Sequence, residues 1–388
     1  MPSTYDVACT LGLEEVVAEE LRELGVTAPR TRRGGVLFEG TPAQGYAANL
    51  WLRSAVRVTE HLIDAQVRSD EELYELCRGM PWENWMSVEQ TLAVDGSVRD
   101  AAVTHSGYVA LRVKDAIVDR FRDLFGDRPS VDTKKPDLPL KLVWHRDRAL
   151  VSRDLSGASL HKRGWRPVQV KSPLNEATAA GLLRLANWQV DQPLVDPLCG
   201  SGTILIEAAQ RAADIAPGLN RRFAFENWPD TQHDVWDTLR ADARERVKSS
   251  IDVQLAGADR HNGAIAMARQ SAQAAGVAGM IGFQHCELSE YAPGFVPDQV
   301  VTNPPWGQRI GEGEDLEDTW RELGNFLKRT LKGGRAWVLS GDKELTRHLR
   351  MKADRRCPVK TGPIDCRLLG YEVRGRSGAS AWGKAPSE

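Results

Sequence analysis

Leu194-Val195-Asp196-Pro197-Leu198-Cys199-Gly200-Ser201-Gly202-Thr203 is the stretch on which the fold turns. A short apolar run ends in an acid, a loop with two glycines follows, and Ile204 to Ala213 then carries apolar residues at helical spacing. Strand, loop and helix in that order open a parallel α/β sheet. Glycines at such a turn let a ligand approach the backbone at the helix N-terminus. The loop is not GxGxxG, and with no GlyLysSer or GlyLysThr following it is not a Walker loop, so a nucleotide without a pyrophosphate fits better. S-adenosylmethionine is such a ligand. Its carboxylate can use the positive helix end, its ammonium can reach Asp196, and its methionine part needs the close approach at Cys199, Gly200, Ser201, Gly202 and Thr203. A plain structural turn is the competing reading, because loops with two glycines are common.

Working outward, regular strand and helix alternation begins at Ser172. It predicts strands Leu194 to Asp196, Gln254 to Asp259, Ile281 to His285, Gln299 to Thr302 and Arg335 to Ser340, the pattern of a parallel sheet. Asp259, followed by Arg260, ends the second strand, where an acid can bind a ribose. The gap from Gly202 is far longer than the expected spacing of about 20 residues, and residues 215–251 read as an insertion whose removal restores it. Glu287 follows the third strand and either meets an adenine amine or is a surface glutamate. After the fourth strand comes Thr302-Asn303-Pro304-Pro305-Trp306-Gly307. The prolines fix their own φ and bias the residue before each toward extended backbone. An exocyclic amine could then meet the Asn303 oxygen and the Pro304 carbonyl while Trp306 covers one face, with Pro305 stiffening the turn. A strand end without function is the alternative. The four features in this order all fall at strand C-terminal ends, where open α/β sheets bind ligands.

At 388 residues the chain is long enough for two or three domains. Hydrophobic content of 41% beside 27% charged residues is that of a soluble globular protein. No apolar run approaches a bilayer-spanning length and the N-terminus carries Asp6, Glu14 and Glu15, so we expect a cytoplasmic protein with no membrane partner. The six cysteines form no CxxC pair, which indicates neither a metal site nor a disulfide framework. The net charge of −2 hides an asymmetry. Residues 1–98 hold eight Lys and Arg against sixteen Asp and Glu, whereas residues 99–171 hold sixteen against nine. The basic middle could neutralise phosphates, or be a solvated face.

The first third alternates short strand and helix signals. Strands are predicted at Tyr5 to Thr10, Gly35 to Glu39, Val58 to Val67 and Thr91 to Val98, and helices at Leu13 to Leu24, Pro42 to Leu52 and Asp70 to Gly79. Val109 to Phe125 is one amphipathic helix with Lys114, Arg120 and Arg122 on its other face. Leu140 to Asp154 reads as a hairpin turning at Arg146 and Asp147. Arg374 to Glu388 is polar and small, and is expected to be mobile.

An Asn followed by ProPro and an aromatic resembles the fourth motif of S-adenosylmethionine-dependent methyltransferases that modify exocyclic amines. They usually carry Tyr where this chain has Trp306. Arg112 to Asp119, the run from Asp154 through Lys162 and Arg163 to Trp165 and Arg166, Pro173 to Ala180, and Ala216 to Leu219 further resemble the bacterial 23S rRNA guanine-N2 methyltransferases, across residues 5–373. The resemblance implies an α+β ferredoxin-like piece (1–55), a THUMP RNA-binding domain (56–160) and a Rossmann-like class I methyltransferase domain (161–373). It implies S-adenosylmethionine as cofactor, RNA as partner, and Lys114, Lys134, Lys135, Lys162, Arg163 and Arg166 as RNA contacts; the connector residues could equally dock the two domains. Some members carry a second methyltransferase domain, and that activity is expected to be absent here.

The expected reaction is methyl transfer to guanine N2 in 23S rRNA or a large-subunit precursor, with Asn303 and the Pro304 carbonyl stabilising charge on the amine. No motif histidine serves as base; His161 and His285 read as surface or strand residues. A paired guanine cannot reach such a pocket, so the base must be flipped or unpaired. The alternatives are a tRNA guanine-N2 methyltransferase, an RNA-binding ribosome-assembly factor without catalysis, and an adenine-N6 DNA methyltransferase. Deleting residues 1–160 is expected to remove RNA affinity and leave cofactor binding.

Overall fold

The computed structural model describes residues 2–166, 174–306 and 316–374. Ser172, Gly307 and the expected mobile tail beyond Arg374 lie outside the described residues. The chain forms two compact units: Met1–Cys9, Val17–Leu160 and Gly218–Asp242 make the first, and Thr10–Val16, His161–Pro217 and Ala243–Glu388 the second.

The first unit is built on β1 (Ser3–Cys9), α1 (Glu14–Glu23), β2 (Arg30–Arg32), β3 (Gly35–Gly40), α2 (Pro42–Trp51), β4 (Ala55–Gln66), α3 (Asp70–Gly79), β5 (Thr91–Arg99), α4 (Ser106–Phe125), β6 (Ser130–Val131), β7 (Leu138–His145) and β8 (Arg148–Asp154). All eight strands join one sheet in the order β2-β3-β1-β4-β8-β7-β5-β6. The long β4 makes this possible by pairing with β1 along one edge and β8 along the other. Local chemistry sets the helices. Thr41 and Gln44 close a capping box around Pro42 at the start of α2. The apolar stripe Val113, Ile117 and Phe121 of α4 is buried, and Gly126 ends that helix at φ 71°. The β7–β8 hairpin turns where the sequence predicts, with Arg146 at φ 57°.

The second unit contains α5 (Glu176–Leu185), β9 (Leu194–Asp196), α6 (Thr203–Ala212), β10 (Leu255–Asp259), α8 (Asn262–Ala274), β11 (Gly282–His285), β12 (Gln299–Thr302), α9 (Leu316–Thr330), β13 (Arg335–Ser340), β14 (Arg355–Thr361) and β15 (Ile364–Glu372); α7 (His233–Glu245) lies between α6 and β10 in the chain. Its sheet runs β11-β10-β9-β12-β13-β15-β14. The five predicted strands are parallel, but the sheet is not parallel throughout. β15 runs antiparallel to β13 and to β14, a hairpin that the sequence reading did not contain. Alternation along the strands feeds two cores: Leu194 and Val301 pack with Ile204 and Leu205 of α6, whereas Val195 and Val300 pack with Leu323 and Phe326 of α9.

Two segments sit away from their sequence neighbours. Thr10–Val16 is part of the second unit, where Leu13 is fully buried. A Cβ on Gly181 of α5 would lie 2.5 Å from Leu13 Cδ1 and force that side chain to move, and one on Gly12 only 2.0 Å from the Pro358 carbonyl oxygen, so Gly12 is closed to any side chain. The Lys360 amide donates to the Leu11 carbonyl at 2.9 Å. Conversely, Gly218–Asp242, within the expected insertion, completes the first unit. Phe225 stacks on Tyr46 with ring centroids 4.4 Å apart and meets Trp236 edge-on at 5.0 Å. Among the described residues no helix is long and apolar enough to cross a membrane.

Candidate active site

The order of the second sheet reverses between β9 and β12, and at such a switch point the strand ends diverge to leave a crevice. Asp196 ends β9, Asp259 ends β10, Glu287 follows β11 and Asn303 follows β12. All four line one cavity of about 780 Å³. Cys199, Gly200, Ser201, Thr203, Arg260, Pro304, Pro305 and Trp306 line it with them. Gly202 does not. It starts α6 at φ 77°, and a Cβ there would lie 2.9 Å from the Phe283 ring, so this glycine serves the packing of loop on sheet.

Asp196 is buried. Its Oδ1 accepts from Thr302 Oγ1 at 2.6 Å and from the Leu198 amide at 3.3 Å. Burial outweighs these bonds and pushes its carboxyl up to about 7. Asp259 braces the glycine loop: its Oδ2 accepts from the Gly200 amide at 3.0 Å and its Oδ1 from the His261 amide at 2.9 Å. The Cys199 amide donates to the Ala258 carbonyl at 2.9 Å, which fastens the same loop to β10. Burial raises the Cys199 thiol well above its ordinary range, so it is a packing residue and not a thiolate.

Indole groups hold the Asn-Pro-Pro turn. Trp306 Nε1 donates to Asn303 Oδ1 at 3.0 Å, and Trp320 Nε1 donates to the Pro305 carbonyl at 2.9 Å. The Trp306 ring is seated on Gly341, where a Cβ would come within 2.7 Å of it. The cavity continues past Asn303 to Thr10, Thr178 and the turn from Lys360 to Ile364. Thr10 and Thr178 meet through their hydroxyls at 3.2 Å.

A methyltransferase-domain family described as RMKL-like matches residues 163–369, more than half of the chain. The chain belongs to this family. Ahead of that domain, a THUMP domain matches residues 67–154 and an RlmL ferredoxin-like domain matches residues 5–59. Among curated relatives, the ribosomal RNA large subunit methyltransferase K/L of Syntrophotalea carbinolica is 39% identical over 96% of this chain and 54% of its own length. The Synechocystis protein slr0064 is 36% identical over 95% of this chain and 96% of its own. The chain thus spans about half the length of the K/L relatives it matches. Among solved structures, SMU.472 complexed with S-adenosylhomocysteine superposes with a TM-score of 0.87 at 28% identity, over 97% of this chain and 99% of that one. TrmN of Thermus thermophilus shares the fold, with a TM-score of 0.71 at 20% identity over 95% and 99% of the two chains.

The SMU.472 structure holds S-adenosylhomocysteine, the product form of S-adenosylmethionine. The site suits it: a buried acid with a free choice of charge near neutrality, a loop whose Gly200 and Gly202 take positive φ, and a cavity at the roomier end of the about 300–1,000 Å³ usual for small ligands. The structure brings the expected acids and the Asn-Pro-Pro-Trp run together in one cavity, whereas the expected RNA contacts differ in exposure and partners. Arg163 is a correction. Its Nε donates to Glu207 at 3.2 Å with both side chains almost wholly buried, so no phosphate can reach it. Arg166 bonds Thr203 Oγ1 at 2.9 Å and faces Glu176 at 3.3 Å, and so supports the loop from behind. Lys162, Lys134 and Lys135 are exposed, and Lys114 pairs with Asp115.

Sequence reasoning missed Thr302, Trp320, Gly341, Thr10, Thr178 and the Lys360 turn. Thr302 was within reach, as the polar end of a buried strand beside Asn303. Gly362-Pro363 between two β-rich runs was a readable hairpin turn. That this turn faces Asn303 needs the sheet order, which no local signal carries.

Proposed function

We propose that this chain transfers the methyl group of S-adenosylmethionine to the exocyclic N2 amine of a guanosine in 23S rRNA. The observation that carries the proposal is the single cavity in which Asp196, Asp259 and Glu287 face Asn303-Pro304-Pro305-Trp306. The cofactor supplies an electrophilic methyl on its sulfonium. Asp196 pairs with the ligand ammonium, the loop Cys199 to Thr203 approaches its methionine part, Asp259 with Arg260 takes the ribose and Glu287 the adenine amine. Asn303 Oδ1 has two lone pairs; Trp306 uses one, and the guanine amine can donate to the other and to the Pro304 carbonyl. These acceptors face an N2 that gains positive charge as the new bond forms, which is where electrostatic stabilisation acts.

The division at about residues 55 and 160, with the exposed Lys134, Lys135 and Lys162 and the half-buried Lys114 holding RNA backbone, fits a cytoplasmic enzyme that docks through its THUMP region. The name of the K/L relatives favours ribosomal RNA. Labelled methyl transfer to unmodified 23S rRNA and to purified tRNA, read by nucleoside mass spectrometry, tests this. N2-methylguanosine in the rRNA supports it, label in tRNA alone overturns the substrate, and failure to bind S-adenosylmethionine in calorimetry would leave only a scaffold role.

A further inference from the structure

We propose that the β14–β15 hairpin is an RNA-backbone surface that ends, at Lys360, in a subsite for a phosphate of the target nucleotide. The proposal rests on the methyl-transfer reading of the cavity and adds a second RNA contact region, outside the THUMP region and outside the basic middle of the sequence. Its first support is register. Arg356 lies opposite Leu369, Pro358 opposite Arg367 and Lys360 opposite Asp365. Side chains two apart on a strand, and those directly opposite across a pair, share a face. Arg356, Arg367 and Lys360 therefore stand on one face, and at about 3.4 Å per residue the row spans about 14 Å.

The second support is availability. Arg356 and Arg367 are exposed, and among the described residues the side chain of neither makes a hydrogen bond or an ion pair. Lys360 Nζ has a long contact with Asp365 at 3.8 Å, and Asp365 is itself 93% exposed. An exposed pair of that kind contributes about 0–1 kcal/mol, so a phosphate can displace the carboxylate. The other acid near this row, Asp354, is already held by Arg335 at 2.8 Å.

The third support is position. Lys360, Thr361, Gly362, Pro363 and Ile364 line the same cavity as Asn303. A base that leaves its stack to reach Asn303 brings its own phosphates to the cavity mouth, and Lys360 is the cation lining the cavity on that side. The hairpin is also firmly set there: the Lys360 amide is bonded to Leu11, and Thr361 Oγ1 lies 2.8 Å from Cys366 Sγ.

The test uses the full chain. Lys360→Ala and the triple variant Arg356→Ala, Arg367→Ala, Lys360→Ala are compared with the parent for binding to an unmodified 23S rRNA transcript across a salt series, and for S-adenosylmethionine affinity. Each lost phosphate contact lowers the slope of log K against log salt by about 0.7–0.9. Lys360→Ala is expected to lower it by about one and raise the RNA KM, Lys360→Arg to restore both, and the triple variant to lower it by two or more, with cofactor affinity and melting temperature unchanged. Salt slopes equal to the parent's overturn the proposal. Binding is read without turnover, so a chain that binds RNA through the hairpin but methylates no guanosine would fail the functional reading and not this one. Equal RNA binding by a triple variant that selectively loses an acidic protein partner would reassign the surface to that partner.

Discussion

Trp306 donates its indole N–H to Asn303 Oδ1 across 3.0 Å, so the amide proposed to receive the substrate amine is held by the residue three places along. One partner for the oxygen fixes which way the amide faces, because only Oδ1 can accept. Trp306→Phe keeps an aromatic ring and removes the donor. A net hydrogen bond contributes about 0.5–1.5 kcal/mol, so the single-turnover rate should fall about two- to tenfold with cofactor affinity unchanged. Asn303→Ala should lower the rate by about 10²–10³, the loss typical of a missing transition-state partner. Parent-like turnover by Asn303→Ala would sink the assignment of this turn.

Asp196 gives cofactor binding a pH dependence whose sign can be worked out. Its carboxyl sits near 7 in the folded chain against an ordinary 3.8, so between those values the folded state holds a proton that the unfolded state has lost. This term therefore stabilises the ligand-free protein most at low pH and is lost as pH rises from about 4 to 7. The ligand ammonium prefers the ionised acid. Calorimetric affinity for S-adenosylmethionine should rise up to tenfold per pH unit from pH 5 and level off above about 7, and Asp196→Asn should flatten the profile while weakening binding.

Asp259 lines the cavity and, with the same carboxylate, anchors the Gly200 amide. Asp259→Ala should weaken S-adenosylmethionine at least tenfold. Asp259→Asn, which keeps one acceptor oxygen, should lose less. Equal affinity for all three proteins by equilibrium dialysis would remove Asp259 from the site.

The buried Arg163–Glu207 pair predicts a stability effect where the sequence suggested an RNA effect. Removing one partner of a buried pair costs about 3–5 kcal/mol. Arg163→Ala should shift the urea midpoint strongly and leave the salt slope of RNA binding as in the parent. A lowered slope with unchanged stability would return Arg163 to the RNA surface.

Excising residues 1–160 is not a clean removal of an RNA module, because Leu11 to Leu13 belong to the second unit. Leu13→Ala in the full chain should cost about 2–5 kcal/mol in urea unfolding, the range for a buried leucine. The excised chain should bind S-adenosylmethionine poorly for the same reason. Parent-like affinity in residues 161–388 would show that the Thr10–Val16 segment is dispensable.

The predicted strands and most helices were legible because their signals are local: period-two runs, Pro42 and Asp70 at helix starts, glycines near helix ends. So were the four strand-end positions of the site, since chain order alone places them. Contacts that depend on distant chain were not. Arg163 reads as a surface cation until Glu207 of α6 is beside it. The 218–242 stretch reads as an insertion until Tyr46 supplies a face for Phe225. Trp306 reads as an open stacking surface, and only Gly341 and Asn303 reveal that one edge and the N–H are already engaged.

The two displaced segments bear on how the protein is made. When the first 160 residues have left the ribosome, the unit they form still lacks Phe223, Phe225 and Trp236, which are buried in a ring cluster with Tyr46 in the finished chain. Leu13, synthesised almost first, waits for α5 before its side chain is covered. Vectorial synthesis therefore cannot complete one core and then begin the next; each stays open until chain from well beyond residue 160 has emerged, and apolar surface is exposed throughout that interval.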